Sequence, residues 1–545
     1  MSVRRVMGAE TEFGVLATGG PHADATALST RVVTAYAALV RRRLGASRTT
    51  AGWDYHGESP LRDARGFTVP REQADPSQLT DAAPVLTAEE VAAEALRENG
   101  PHDGPTGRPH AVLNTVLPNG ARLYVDHSHP EYSSPEVTTP RDAVLYDAAG
   151  DRVALDAVRE IAADAGTTGR DAVNLYKNNT DNKSVSYGAH ENYLVPRSVP
   201  FDALAAGLLP FFVSRQVVCG AGRVGLGDRG QRPGFQISQR ADFFEREVGL
   251  ETTIHRPVVN TRDEPHAERS RHRRLHVIIG DANLSHTATL LKFGTTSLVL
   301  GLIEAGAVPD LALADPVAAL QSISHDPGLT TTVPLRDGRE LTGVQLQRHY
   351  LEAARAHEHA AGGPDPDTRE VLELWAEVLD ALETDPLSLA DRLDWVAKHA
   401  LLLGYRERDG LAWEDPRLTL IDLQYADVRP EKGLYHRLVA AGRMRTLFGT
   451  EEVERAAGLP PEDTRAWLRG MLVGRFPDDV LTANWDSVSL TLPGVGRGAR
   501  IAMPEPLGLT RADVEPLLSA APDAEHLVRA LAAARPALVH TGSLA

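Results

Sequence analysis

Asn119–Glu136, NGARLYVDHSHPEYSSPE, holds an arginine, two tyrosines, an aspartate, two histidines and two glutamates in one short segment. Its start alternates. As a strand, Arg122 to Asp126 sends Leu123 and Val125 into a core and turns Arg122, Tyr124 and Asp126 to the opposite face. A cation, a phenol and a carboxylate then share one polar surface. A half-buried surface strand with an ordinary salt bridge carries the same pattern, so partners elsewhere in the chain decide its meaning.

Upstream, Val3–Val15 (VRRVMGAETEFGV) reads as a first strand, with Met7, Ala9, Phe13 and Val15 on one face. Glu10 and Glu12 share the other with Gly8 and Gly14. Two carboxylates at this spacing repel each other, and a divalent cation keeps both ionised; oxygen donors of this kind suit magnesium. A solvated strand face is the competing reading. The small glycines favour a ligand approaching the backbone.

Downstream, Asn174–Val195 reads as a hairpin whose second strand, Ser186–Val195, sets Gly188, His190 and Asn192 on one face. Gly234–Asp242 (GFQISQRAD) alternates too, with Gln236, Ser238, Arg240 and Asp242 together. Glu268–Asn283 ends in a strand behind the basic run Arg269, Arg271, Arg273 and Arg274. That run is either a solvated loop or the contact for a phosphate or acidic partner, which the arginine fork suits. Gly220–Gly225 (GAGRVG) has the spacing of a dinucleotide fingerprint, but the following GLGDRGQRPG cannot open a helix, so it reads as a glycine-rich turn. No P-loop pattern occurs either.

The 545 residues, 42% apolar and 24% charged, predict a soluble protein with one large domain and smaller appendages. The single cysteine, Cys219, fits a reducing cytoplasm. No apolar targeting segment opens the chain and no long apolar run follows, so no membrane partner is expected. A net charge of -17 argues against non-specific nucleic-acid binding. Helices are expected over Ala23–Leu44 with a cap at Gly45, and over Arg152–Ala165, Thr287–Ala305, Gly343–Ala360, Asp367–Glu383 and Leu389–Leu403. Residues about 68–109 read as a long mobile loop with a helical run at Ala88–Arg97. Ile421–Asp427 reads as a short strand or turn. A smaller part after Pro430 holds helices near Tyr435–Ala441 and Pro461–Arg469, an extended stretch at Thr482–Leu492, and a last helix within Ala512–Ala533.

Polar-faced strands followed by helices predict an α+β fold: a largely antiparallel sheet backed by helices in a large domain over 1–430, and a small domain over 431–545. Lined by Glu10, Glu12, Arg122, Tyr124, Glu131, His190, Arg240 and His276, such a sheet forms a cleft suited to a magnesium nucleotide.

GAETEFG at Gly8–Gly14, the opening stretch, YGAHENY at Tyr187–Tyr193 and RLHVIIGDAN at Arg274–Asn283 resemble the Pup ligase and Pup deamidase/depupylase family, related to glutamine synthetases and other carboxylate–amine ligases. The resemblance extends to NWDS at Asn484–Ser487. WDYHGESPLRDARGF at Trp53–Phe67 and the spacing of VDHSHPEYS resemble the depupylase branch rather than the ligase branch. The resemblance implies a glutamine synthetase-like large domain with Asp126 as the catalytic carboxylate, either nucleophile or base. It implies magnesium positions at Glu10, Tyr124 and Glu131, with Glu12, His190 and His276 as further metal or nucleotide contacts. It implies nucleotide contacts at Arg122, Ser134, Arg240 and Trp485, with Arg262 as a further candidate. His286 stands where an acidic residue is expected. The implied activity is deamidation of the C-terminal glutamine of Pup and cleavage of the Pup–lysine isopeptide bond, with ATP and magnesium bound and not consumed stoichiometrically. Pup, pupylated proteins and a link to the bacterial proteasome system are the implied partners. Pup ligation, an inactive Pup-binding scaffold and a small-molecule amide ligase are the alternatives.

Overall fold

A computed structural model describes residues 2–18, 24–47, 51–81, 113–168, 171–181, 185–492 and 497–542. Its centre is a six-stranded sheet in the order His272–Val277, Ala189–Pro196, Met7–Glu12, His129–Ser133, Arg122–Asp126 and Asn114–Val116. Every pairing in it is antiparallel. The period-two reading holds: Leu123 and Val125 are buried while Arg122, Tyr124 and Asp126 look out on the other side.

Helices cover the apolar face. Leu123, Val125 and Tyr132 pack with Val33 and Tyr36 of helix Ala25–Leu44 and with Val153 and Val158 of helix Pro140–Thr168. Met7, Tyr193 and Leu275 pack with Phe211 of helix Phe201–Ser214 and Leu298 of helix His286–Glu304. A second core, holding Trp53, Val116, Trp467 and Leu490, lies under a five-stranded sheet. That sheet joins Val480–Ala483, Ser487–Leu492, Arg497–Ala502 and Val539–Gly542 to the short strand Gly52–Trp53 from the other end of the chain.

Several expectations change. The first strand is two: Met7–Glu12 stays in the main sheet, and Gly14–Ala17 turns away to pair with Val173–Tyr176. Gly14 allows this, since a Cβ there would stand 2.5 Å from the Tyr187 hydroxyl. Val173–Tyr176 and Ala189–Pro196 therefore belong to different sheets and form no hairpin. The strand expected through Asp242 stops at Gln236, because Asp281 gathers Ser238 Oγ and the Gln239 and Ala221 amides and so replaces the ladder with side-chain bonds. Helix Pro140–Thr168 starts earlier than expected, with Thr139 Oγ1 accepting from the Asp142 amide.

Residues 416–425 are a helix rather than a strand or turn, capped by Asp415. The helix expected at Pro461–Arg469 is replaced by Thr450–Gly458 and Ala466–Arg475 on either side of two prolines. The expected Leu389–Leu403 helix begins at Asp394 and runs on to Gly410, a left-handed cap at φ 66. The last helix is two, Arg511–Ala520 and Ala524–Ala534, the second capped by Asp523. The helical run at Ala88–Arg97 lies outside the described residues. Among those described, no helix is long and apolar enough to cross a membrane.

Candidate active site

Strand register sets the site's residues in rows across the polar face of the sheet. Arg122 stands opposite Ser133, Ser133 opposite Glu10, and Glu10 opposite His190. In the next row Tyr124 faces Glu131 and Glu131 faces Glu12; beyond them Asp126 faces His129. His276 pairs with Asn192 at the far side. The rows floor a cleft of about 350 Å³ whose walls include Ser77 and Thr80, Glu58, Arg262, Glu264, Arg274 and Trp485.

Two trios have donor atoms within 4.8 Å of one another: Glu10, His190 and His276, and Glu12, Asp126 and Glu131. In the first, Glu10 takes the Asn192 amide at 2.9 Å and lies 3.3 Å from His190 Nδ1. The His276 Nδ1 sits 3.1 Å from Asn192 Oδ1, an acceptor already engaged by Arg274 at 2.9 Å. Both imidazoles thus donate from Nδ1 and keep the Nε2 lone pair for a cation. Burial and the Arg274 charge hold His276 well below the usual histidine range, so it stays neutral, as a ligand must.

In the second trio, burial and the charges of Asp126, Glu12 and Glu10 push the Glu131 carboxyl well above the usual range. Glu12 goes the other way, to about 2, because the hydrogen bond and charge of His129 outweigh its burial. Glu12 also accepts from the Gly188 amide at 2.6 Å. The absence of a Cβ at Gly188 leaves room for the His190 imidazole and the Glu12 carboxylate, which a larger residue would displace. Burial and Glu131 raise the Tyr124 hydroxyl well above its ordinary value and keep it a phenol. The all-carboxylate trio of Glu12, Asp126 and Glu131 suits a hard divalent cation, and Glu10 with the two imidazoles suits a borderline one.

The cationic wall is equally built. The Arg122 guanidinium lies 3.8 Å from the Tyr124 ring and 4.1 Å from the Trp53 ring, with its Nε on Asn114 Oδ1. Trp53 meets Trp485 edge to face at 5.1 Å. Arg262 bonds Glu264 at 2.7 Å and Thr80 at 3.0 Å. Ser134 lies off the main cleft in an adjoining pocket of about 70 Å³ with Gly8, Met7 and Trp485, its hydroxyl accepting from the Ala9 amide.

Arg240 is the exception. Its expected face belonged to a strand that ends before it, and its buried side chain bonds the carbonyls of Ile278 and Gly280 and the Ser186 hydroxyl, away from both cavities. Burial and the Arg256 charge bring its pKa down to about 9. His286 also stands apart, its Nδ1 accepting from the Leu447 amide.

The sequence reading passed over Glu58, His127, Glu264 and His266 as site residues and left Arg274 inside a charge run. Only His127 was signalled, by its place in the decisive stretch; Glu58, Glu264 and His266 come from turn-rich segments without a period.

Carboxylates, imidazoles and guanidiniums converging on one cleft of an antiparallel sheet mark the candidate active site of an enzyme. Residues 5–489 match the family model described as Pup-ligase protein. The depupylase of Acidothermus cellulolyticus is 52% identical over 98% of this chain and 100% of its own length. The Pup deamidase/depupylase of Mycolicibacterium smegmatis is 51% identical over 97% and 100%. Among solved structures, the ligase PafA in complex with Pup superposes with a TM-score of 0.74 at 29% identity, over 98% of this chain and 94% of that one. PafA with ADP gives 0.69 at 33% identity, over 80% and 94%. The chain belongs to the Pup-ligase family.

Proposed function

We propose that the protein hydrolyses the C-terminal glutamine amide of Pup to glutamate and cleaves the isopeptide bond that joins this glutamate to a substrate lysine. Both reactions attack the same side-chain carbonyl, so one site serves both. The observation that carries the reading is Asp126, at the end of its strand, within reach of Glu12 and Glu131 on the floor of the cleft. The near-complete length shared with relatives named for deamidation and depupylation supports hydrolysis over ligation.

The residues fit a magnesium nucleotide. Glu10, Glu12, Glu131, His190, His276 and the Tyr124 hydroxyl would hold magnesium, Arg122, Arg262 and Arg274 the phosphates, and Ser134 and Trp485 the remainder of the nucleotide. When bound, magnesium would supply positive charge near the scissile carbonyl, with ATP held beside it and not consumed stoichiometrically. Asp126 then either attacks the carbonyl, breaking the C–N bond so that ammonia or the lysine amine leaves with a proton drawn from solvent and an anhydride remains for water to hydrolyse, or takes the proton of the attacking water; the first route divides one hard step into two. The cationic wall stabilises the developing oxyanion, worth a few kcal/mol. The catalytic unit in this reading is the part up to about residue 430 together with Trp485, lent by the smaller C-terminal part. The one cysteine, buried, suits the reducing cytoplasm where Pup conjugates and the proteasome system would be met.

Asp126→Asn tests the assignment: release of ammonia from Pup ending in glutamine should be abolished while nucleotide binding persists. Normal activity in that variant removes Asp126 from the mechanism.

A further inference from the structure

His127 and Ser128 form the two-residue link between strands Arg122–Asp126 and His129–Ser133. A link this short needs a left-handed first residue, and His127 has φ 52. The bend returns its imidazole over the end of the strand it has just left. Nδ1 lies 2.8 Å from Asp126 Oδ2, and Nε2 lies 3.1 Å from the Ser77 carbonyl oxygen. A carboxylate and a carbonyl only accept, so both ring nitrogens donate.

The far anchor is itself fixed. Ser77 sits in the short turn Pro76–Gln78, where the Asp75 side chain accepts from the Ser77 amide and Gln78 returns a bond to the Asp75 amide. The same wall is tied a second time through Thr80 to Arg262. Asp126, by contrast, is the last residue of its strand, and its side chain is 24% exposed. A terminal carboxylate left alone turns freely about its side-chain torsions, and a misplacement of about 1 Å at a reacting atom costs on the order of 100-fold in rate.

We infer that His127 is a positioning residue, a strut that holds the Asp126 carboxylate in one orientation by tying it to the cleft wall at Ser77. It engages one oxygen and leaves the other for chemistry. The inference rests on the catalytic role proposed for Asp126, and the two fail separately: an active Asp126→Asn variant overturns that role, whereas an inactive one beside a fully active His127→Ala overturns only the strut.

The test compares His127→Ala with His127→Asn on glutamine-ended Pup. Asparagine tolerates the left-handed backbone and places an amide donor where Nδ1 stands. The expected result is a kcat lowered roughly 10- to 100-fold in His127→Ala, as for lost orienting partners, and largely restored in His127→Asn. KM for Pup and nucleotide affinity should stay within about twofold in both. A kcat of His127→Ala within about twofold of wild type, an Asn variant as slow as Ala, or a folded variant that loses nucleotide affinity overturns the inference. Should His127→Ala fail to fold, His127→Asp takes its place, being the size of Asn without the donor. Equal kcat for the Asp and Asn variants is then the overturning result.

Discussion

Glu131 is buried beside Asp126, Glu12 and Glu10, and that crowding holds its carboxyl well above the usual range. A divalent cation would let these carboxylates ionise side by side, so Glu131→Gln should weaken magnesium binding roughly tenfold or more, read by titration calorimetry; unchanged affinity would contradict the proposed metal assignment. Arg122, Tyr124 and Asp126 were legible because period two is a local property of five residues. Glu10, Glu12 and His190 were legible for the same reason. Arg274, Glu264 and His266 were not, since their place in the cleft is set by long-range packing that leaves no period. Arg240 misled because alternation was carried past Gln236 into a segment whose backbone bonds Asp281 had taken over.

Elements were readable where their ends carried explicit chemistry. Gly45, a left-handed cap at φ 64, marks the end of the first helix, and Thr342 with Gln345 forms the capping box that opens Gly343–Ala360. Where tertiary contacts decide, as in the break at Phe13, the pattern gave no warning. Glu136, just beyond the strand His129–Ser133, joins two such elements: it binds Arg465 at 2.7 Å and also Arg469 of helix Ala466–Arg475. Although burial opposes it, the two guanidiniums bring its carboxyl from 4.5 to about 2. A depressed carboxyl stabilises above its unfolded value and loses that contribution as pH falls through its folded value. Acid unfolding should therefore show a loss of about 3 kcal/mol between pH 4.5 and about 2 that Glu136→Gln removes, the variant being less stable by a similar amount at pH 7. Identical acid profiles for the two proteins would exclude the clamp.

At the scale of the molecule, the antiparallel sheet with helices behind it followed from strands with one polar face and a helix-rich second half. The contribution of Gly52–Trp53 to the C-terminal sheet did not, because two residues are too few to show a period. That crossing brings Trp53 against Trp485 and Arg122, so the wall proposed to hold the nucleotide is built from both ends of the chain. Trp485→Ala should accordingly weaken nucleotide binding while the main sheet stays folded, checked by nucleotide titration beside a thermal melt; unchanged affinity would remove Trp485 from the wall. The central claim, hydrolysis at the Pup glutamate side chain with a nucleotide that is retained, is tested most directly by mass spectrometry. The protein is incubated with glutamine-ended Pup, a Pup–lysine conjugate and magnesium ATP. The predicted result is Pup ending in glutamate and a freed target, with far less ATP hydrolysed than bonds cleaved; new Pup–lysine bonds formed with one ATP consumed for each would contradict it.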